Sequence, residues 1–178
     1  MKKVILLFLV LLIPAVSSAE YKKLTNSQKE GWTKPHDIEK IEKAAEKNRQ
    51  VDYFGKMSQD KLKYFKKYGC PDVIGVWNCR DGSTGQKLEE WIYYGPSKYI
   101  YFYEKDGNLH KEEPLTDLDK HSLDGKVEVG MDRTQVKRAK GGPSRVDNIA
   151  GKGGADEKWT YNSLYVWFSG DKAVRVQK

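Results

Sequence analysis

Cysteine and histidine are scarce in this 178-residue chain, with two of the first and three of the second. Cys70 and Cys79 have eight residues between them, which does not match a C-x-x-C pattern, and no histidine or third cysteine lies nearby. His36, His110 and His121 fall in separate polar segments without metal-ligand spacing. No nucleophile elbow or Cys/His arrangement occurs, and Gly151-Lys-Gly-Gly154 lacks the spacing and Lys-Ser/Thr ending of a phosphate loop. The acid pairs Glu89/Glu90 and Glu112/Glu113 are adjacent, and neighbours on a strand point to opposite faces, so neither pair converges on one substrate atom. Acid–base chemistry needs convergent groups, so no enzymatic activity, metal or cofactor is expected.

Long apolar runs are also lacking. Val4 to Ile13 falls short of the roughly 20 residues that span a bilayer. With Lys2 and Lys3 before it, and Pro14 and Ser17-Ser18-Ala19 after it, residues 1–19 read as a secretory signal peptide. The next residue is Glu20 rather than cysteine, so a periplasmic or secreted protein without a lipid anchor or transmembrane segment is expected. In that oxidising setting Cys70 and Cys79 are predicted to form a structural disulfide contributing about 2–3 kcal/mol, in preference to a metal or redox pair.

Aromatic residues, by contrast, make up 12% of the chain. They organise two stretches, Glu89 to Gly107 and Glu157 to Gly170. In each, Trp-x-Tyr (Trp91/Tyr93, Trp159/Tyr161) runs into a turn, and a second apolar run carries Tyr-x-x-Phe (Tyr99/Phe102, Tyr165/Phe168) before a glycine. Each reads as a β-hairpin. Upstream of each, Met57 to Pro71 and Gly130 to Pro143 read as one short helix. Ser58 and Asp132 are the predicted N-caps, Gly69 and Gly142 the predicted stops, and Leu62/Phe65 and Val136/Ala139 the apolar stripes. The pattern predicts an α+β fold of two tandem units, each a short helix followed by a three- to four-stranded antiparallel sheet, with an extra N-terminal helix over Asp37 to Gln50. Residues 20–56 form the N-terminal extension, whose first part to Lys34 is polar and expected to be mobile. Units follow at 57–113 and 127–178, joined by 114–126. Asp117-x-Asp119-x-His121 to Glu128 echoes a calcium loop, but Ser122 replaces the turn glycine, so a solvated linker is expected.

The second unit, Val129-Gly-Met-Asp-Arg-Thr-Gln-Val136 through Gly142-Pro143 to Trp159-x-Tyr161 and Tyr165-Val-Trp-Phe168, resembles the SmpA/OmlA (BamE-like) envelope domain. The first unit, with Gly69-x-Pro71-Asp72 and the run from Glu90 to Lys98, is more similar to a related family of small secreted proteins of unknown function. The paired layout also resembles the β-lactamase inhibitor protein family. These resemblances imply a helix-plus-antiparallel-sheet fold and a role in the bacterial envelope. Asp132 stands where the BamE-like pattern has threonine, and Lys140 where it has leucine.

Strand alternation turns Ile100/Phe102 and Val166/Phe168 inward, and Tyr99, Tyr101, Tyr103, Tyr165 and Trp167 outward. Two readings stay open: an aromatic binding face, or a second core covered by other parts of the chain. The net charge is +7, and the helices carry Lys61, Lys63, Lys66 and Lys67, and Arg133, Lys137, Arg138 and Lys140, as candidate basic surfaces. An exported binding or scaffold protein is the expectation, contacting an envelope protein, such as an outer-membrane assembly component, or anionic lipid headgroups, but not nucleic acid. The alternative is a secreted protein inhibitor laying both sheets over a hydrolase.

Overall fold

The computed structural model describes residues 20–78, 87–152 and 155–178. The signal segment 1–19 lies outside the described residues, as does Cys79, and with it the expected disulfide. Cys70 is half-buried with its Sγ 3.7 Å from the Lys29 carbonyl oxygen, and burial pushes its thiol up to about 11.

The chain begins with β1 (Glu20–Lys23), α1 (Asn26–Trp32), α2 (Pro35–Glu46) and a small hairpin of β2 (Gln50–Val51) and β3 (Gly55–Lys56). Helix α3 (Gln59–Tyr68) then leads into β4 (Val73–Asn78), β5 (Lys87–Tyr93), β6 (Lys98–Tyr103) and β7 (Leu109–Pro114). After α4 (Asp117–Leu123), helix α5 (Arg133–Lys140) leads into β8 (Arg145–Lys152), β9 (Ala155–Thr160), β10 (Tyr165–Ser169) and β11 (Lys172–Gln177). The first sheet has order β1-β4-β5-β6-β7 and the second β11-β10-β9-β8, with all pairs antiparallel. This is the α+β fold of a helix followed by four strands, made twice.

The repetition extends to single contacts. Ser58 and Asp132 accept hydrogen bonds from the third helical N–H, satisfying donors that a helix start otherwise leaves free. The helices stop at Gly69 (φ +75°) and Gly141 (φ +76°), a conformation costly for residues with a Cβ. The second stop falls one residue before the expected Gly142. Tyr93 and Tyr161 donate their hydroxyls to the carbonyls of these two glycines, at 3.1 and 3.3 Å. Trp91 packs on Phe102 at 5.0 Å and Trp159 on Phe168 at 4.6 Å, and Met57 and Met131 are both fully buried beneath their helices.

The N-terminal segment is not loose. Tyr21 lies on β1, which pairs with β4, and Leu24 and Trp32 are buried; Trp32 stands edge-on to Phe54 at 4.7 Å. A few apolar residues in a polar run suffice to dock it, because each buried ring removes a large area from water. Helix α2 starts two residues earlier than expected and ends at Glu46, and Ile41, Ala44 and Ala45 join α3 and Trp91 in one core. Its Glu39–Lys43 pair forms at 2.5 Å.

The expected solvated linker is instead helix α4, with Thr116 capping it and Asp119 and Ser122 buried. The cause lies across the chain: Leu123 packs on the outer face of the first sheet with Val73, Ile92, Tyr99 and Leu115, while Leu118 packs on the second core. The layers therefore run α1–α3, first sheet, α4 and α5, second sheet.

Gly75 on β4 shows how tightly the first sheet is closed. A Cβ there would sit 2.6 Å from the Tyr21 ring. Gly75→Ala should cost about 1–3 kcal/mol through overpacking and release β1. Hydrogen exchange at Tyr21 to Lys23 should rise more than at β5, and equal protection in both would refute this.

Candidate functional site

Three site features arise from the two sheets: a closed outer face, a set of buried ion pairs on the core side, and an open outer face. On the first sheet, register places Tyr21, Gly75, Glu90 and Tyr101 in one row across β1, β4, β5 and β6, with Tyr99 in the next. Helix α5 sets Arg138 against this row. Its guanidinium donates to the Tyr21 and Tyr99 hydroxyls at 2.9 Å each and to Asp119 Oδ1 at 3.2 Å, and lies 3.6 Å from Glu90 Oε1. The Arg138 side chain is 5% exposed and that of Glu90 0%. Tyr101 is hydrogen-bonded to Glu90 as well, and burial with the Glu90 charge pushes its phenol far above the ordinary range. Burial resists ionisation of Asp119, but hydrogen bonds from Thr116 and Gln135 and the Arg138 charge outweigh it, holding the carboxyl below its usual value.

This corrects several sequence expectations. Tyr99 is 3% exposed and belongs to a second core, so it is no binding-face residue, and Tyr101 is half-buried against Glu90. Arg138 leaves the basic surface for the seam. Lys61 leaves it too: fully buried, it reaches Glu89 at 2.7 Å and the Phe54 carbonyl at 2.8 Å. Burial pushes the Lys61 ammonium down and the Glu89 carboxyl up, while their attraction opposes both shifts. Arg133 pairs with Glu157 at 2.6 Å and Asp171 at 3.0 Å. Lys66 pairs with Glu42, and Lys137 lies over the Trp159 ring, while Lys63 and Lys67 remain exposed on α3 above Tyr64 and Tyr68. The two continuous basic surfaces are therefore broken up.

The buried acids were overlooked in sequence, yet a signal for them exists. Glu89-x-Trp91 and Glu157-x-Trp159 repeat, and each glutamate accepts from its tryptophan Nε1 at 2.6 Å while meeting a cation from the first turn of its unit's helix. Glu90 carries no such signal, because its partner lies 48 residues away in the other half of the chain.

The outer face of the second sheet has the opposite character. Aligning Trp91 with Trp159 and Phe102 with Phe168 places Lys158 where Glu90 stands, Tyr165 where Tyr99 stands and Trp167 where Tyr101 stands. Tyr165 is 37% exposed. Arg175 from β11 stacks 3.9 Å from the Trp167 centroid, and Lys158 lies 4.7 Å over Tyr165 and 5.7 Å from Trp167. Trp167 is half-buried between these cations. Tyr103, also half-buried, contacts His110 at the far end of the first sheet, away from this face. Of the five aromatics expected on open faces, only Tyr165 and Trp167 are brought together on an uncovered one. Among the described residues, no group of three His, Cys, Asp or Glu side chains could hold a metal ion, and no helix is long and apolar enough to cross a membrane.

Comparison with protein families, curated proteins and solved structures finds no match to this chain.

Removing the seam cation should be severe. Arg138→Met leaves Glu90 and Asp119 buried beside it and should cost about 3–5 kcal/mol in urea unfolding. Arg138→Lys should recover only part, because an ammonium cannot serve both hydroxyls and both carboxylates; full recovery would show that charge alone matters. Asp119, depressed in the fold, contributes stability that is complete above its unfolded value of about 3.9. That contribution is lost as the pH falls through the folded value. Asp119→Asn should therefore flatten the acid limb of the stability curve, and an unchanged limb would contradict the assignment.

Proposed function

We propose that the chain is an exported, non-enzymatic binding protein of the bacterial cell envelope that offers the outer face of its second sheet to an acidic protein partner. The comparison between the chain's own two sheets carries this reading. On the first, α5 presents a cation to Glu90 between Tyr99 and Tyr101; on the second, Lys158 lies between Tyr165 and Trp167, and no helix among the described residues packs over it. A partner carboxylate placed there would form the same contact with the charges exchanged. Tyrosine and tryptophan suit it, since a large apolar body bears a polar edge.

Export is supported by Lys2 and Lys3, the apolar run and the small residues to Ala19, and the envelope by the similarity of the second unit to the SmpA/OmlA domain. Two other readings lose support. Anionic lipid needs a broad basic surface, and Arg138, Lys61, Arg133 and Lys66 are engaged within the chain. A hydrolase inhibitor using both sheets needs the first outer face, which α4 and α5 cover.

The partner crosslinked to the exported protein in the envelope, once purified, should bind Trp167→Ala and Lys158→Glu at least tenfold more weakly, about 1.4 kcal/mol, with little change in melting temperature. Equal loss of stability would make Trp167 a core residue. Anionic vesicles should not cosediment with the protein; salt-sensitive cosedimentation would favour lipid.

A further inference from the structure

A different surface carries a second assignment, independent of the aromatic face. In the first unit, β4 has β5 on one side and β1 on the other, with Tyr21 opposite Gly75 and Lys22 opposite Ile74. The chain continues along the same track: Leu24 N–H donates to the Asp72 carbonyl at 3.0 Å, and Lys29 from α1 pairs with the Asp72 carboxylate beside the end of α3. In the second unit β8 is the equivalent of β4, pairs with β9 and ends the sheet. Val146, opposite Trp159 as Ile74 is opposite Trp91, is 48% exposed where Ile74 is half-buried against the core. Ser144 stands where Asp72 does: both N–H groups donate to the strand next door, to Thr160 and Ile92 at 2.8 Å each. At Ser144, between the β9–β10 turn, the end of α5 and residues 125–128, lies an open cleft of about 650 Å³.

The other sheet ends differ. Strand β7 carries His110, Lys111, Glu112, Glu113 and Pro114, charges and a proline that discourage pairing. Among the described residues, only the β8 edge has a counterpart that the chain itself fills.

We propose that β8, over Arg145 to Asn148, receives an extended, carboxylate-bearing peptide segment of a partner as an antiparallel fifth strand, whose acidic side chains continue into the adjoining cleft. Strand addition supplies main-chain hydrogen bonds, and side-chain pockets supply selectivity. The acidic character follows from the lining. Lys29 meets Asp72 in the first unit, whereas the second has neutral Ser144 with Lys126 and Lys140 lining the cleft beside it. Glu128, whose carboxylate lies 2.9 Å from His121 Nδ1, also lines the cleft, and Lys126 and Lys140 outnumber it. Arg145 on the strand itself is exposed but pairs with Asp147 at 2.6 Å, so the cleft lysines carry the preference.

The test titrates the mature chain, Glu20 to Lys178, with short capped peptides alternating threonine and glutamate. The same peptides with lysine for glutamate, and with alternate amides N-methylated, serve as controls. Amide NMR should show shifts at Arg145 to Asn148 and around Lys126 and Lys140 with the glutamate peptide. Binding should be at least tenfold weaker for the lysine form and absent for the N-methylated one. Lys126→Glu with Lys140→Glu should weaken binding at least tenfold, and Trp167→Ala should leave it unchanged. The assignment is overturned by no shifts at millimolar peptide, by binding indifferent to N-methylation, or by shifts that vanish with Trp167→Ala. The last result would transfer the binding to the aromatic face, whereas loss of the aromatic-face partner alone would leave the β8 track standing.

Discussion

A buried guanidinium governs how this chain is put together. Arg138 is carried by a helix of the second half and neutralised by Glu90 on the first sheet and Asp119 on α4, with two tyrosine hydroxyls completing its donors. An ion pair in such a place adds little net energy over a well-packed apolar contact, yet it is costly to separate. Its chief effect is therefore on geometry. The two halves meet in the one arrangement that puts the arginine between both acids, and sliding α5 along the sheet would strand three charges in an apolar layer.

From that seam follows the unusual burial of the first sheet. Strand β5 is buried from Leu88 through Tyr93 because α3 covers one face and α4 and α5 the other. Both faces of a strand are then interior, and even its glutamates must find partners: Glu89 takes Lys61 and Trp91 on the helix side, Glu90 takes Arg138 across the seam. Closure extends to the edge. Tyr21 reaches over Gly75 into the same network, so the N-terminal strand is held by ring packing and a hydrogen bond to Arg138 as well as by its ladder.

What the two halves share and where they differ accounts for the second sheet being left open. The helix-glycine-tyrosine corner, the tryptophan–phenylalanine pair and the Glu-x-Trp clamp are alike in both halves, because each unit needs them to close its own core. The outer face and the first edge strand are not required for that core. In the first half they are filled by α5 and β1, and in the second they carry Lys158, Trp167, Arg175 and a bare β8. The surfaces the second half leaves open are thus the ones the first half uses on itself.

Local pattern and periodicity determined much of this without coordinates. Caps at Ser58 and Asp132, hairpins around Trp91 and Trp159 and the inward and outward alternation of β6 and β10 are set by neighbouring residues, so they can be read from neighbouring letters. The stop at Gly141 rather than Gly142 shows the limit, since either glycine can adopt a positive φ and helix packing chooses. What only the tertiary structure decided is which outward face stays outside. Tyr99 and Tyr165 occupy the same position in the same motif, yet one is interior and the other exposed. The difference comes from Arg138, 39 residues from Tyr99 along the chain, and a charge brought that far by folding leaves no local trace in sequence.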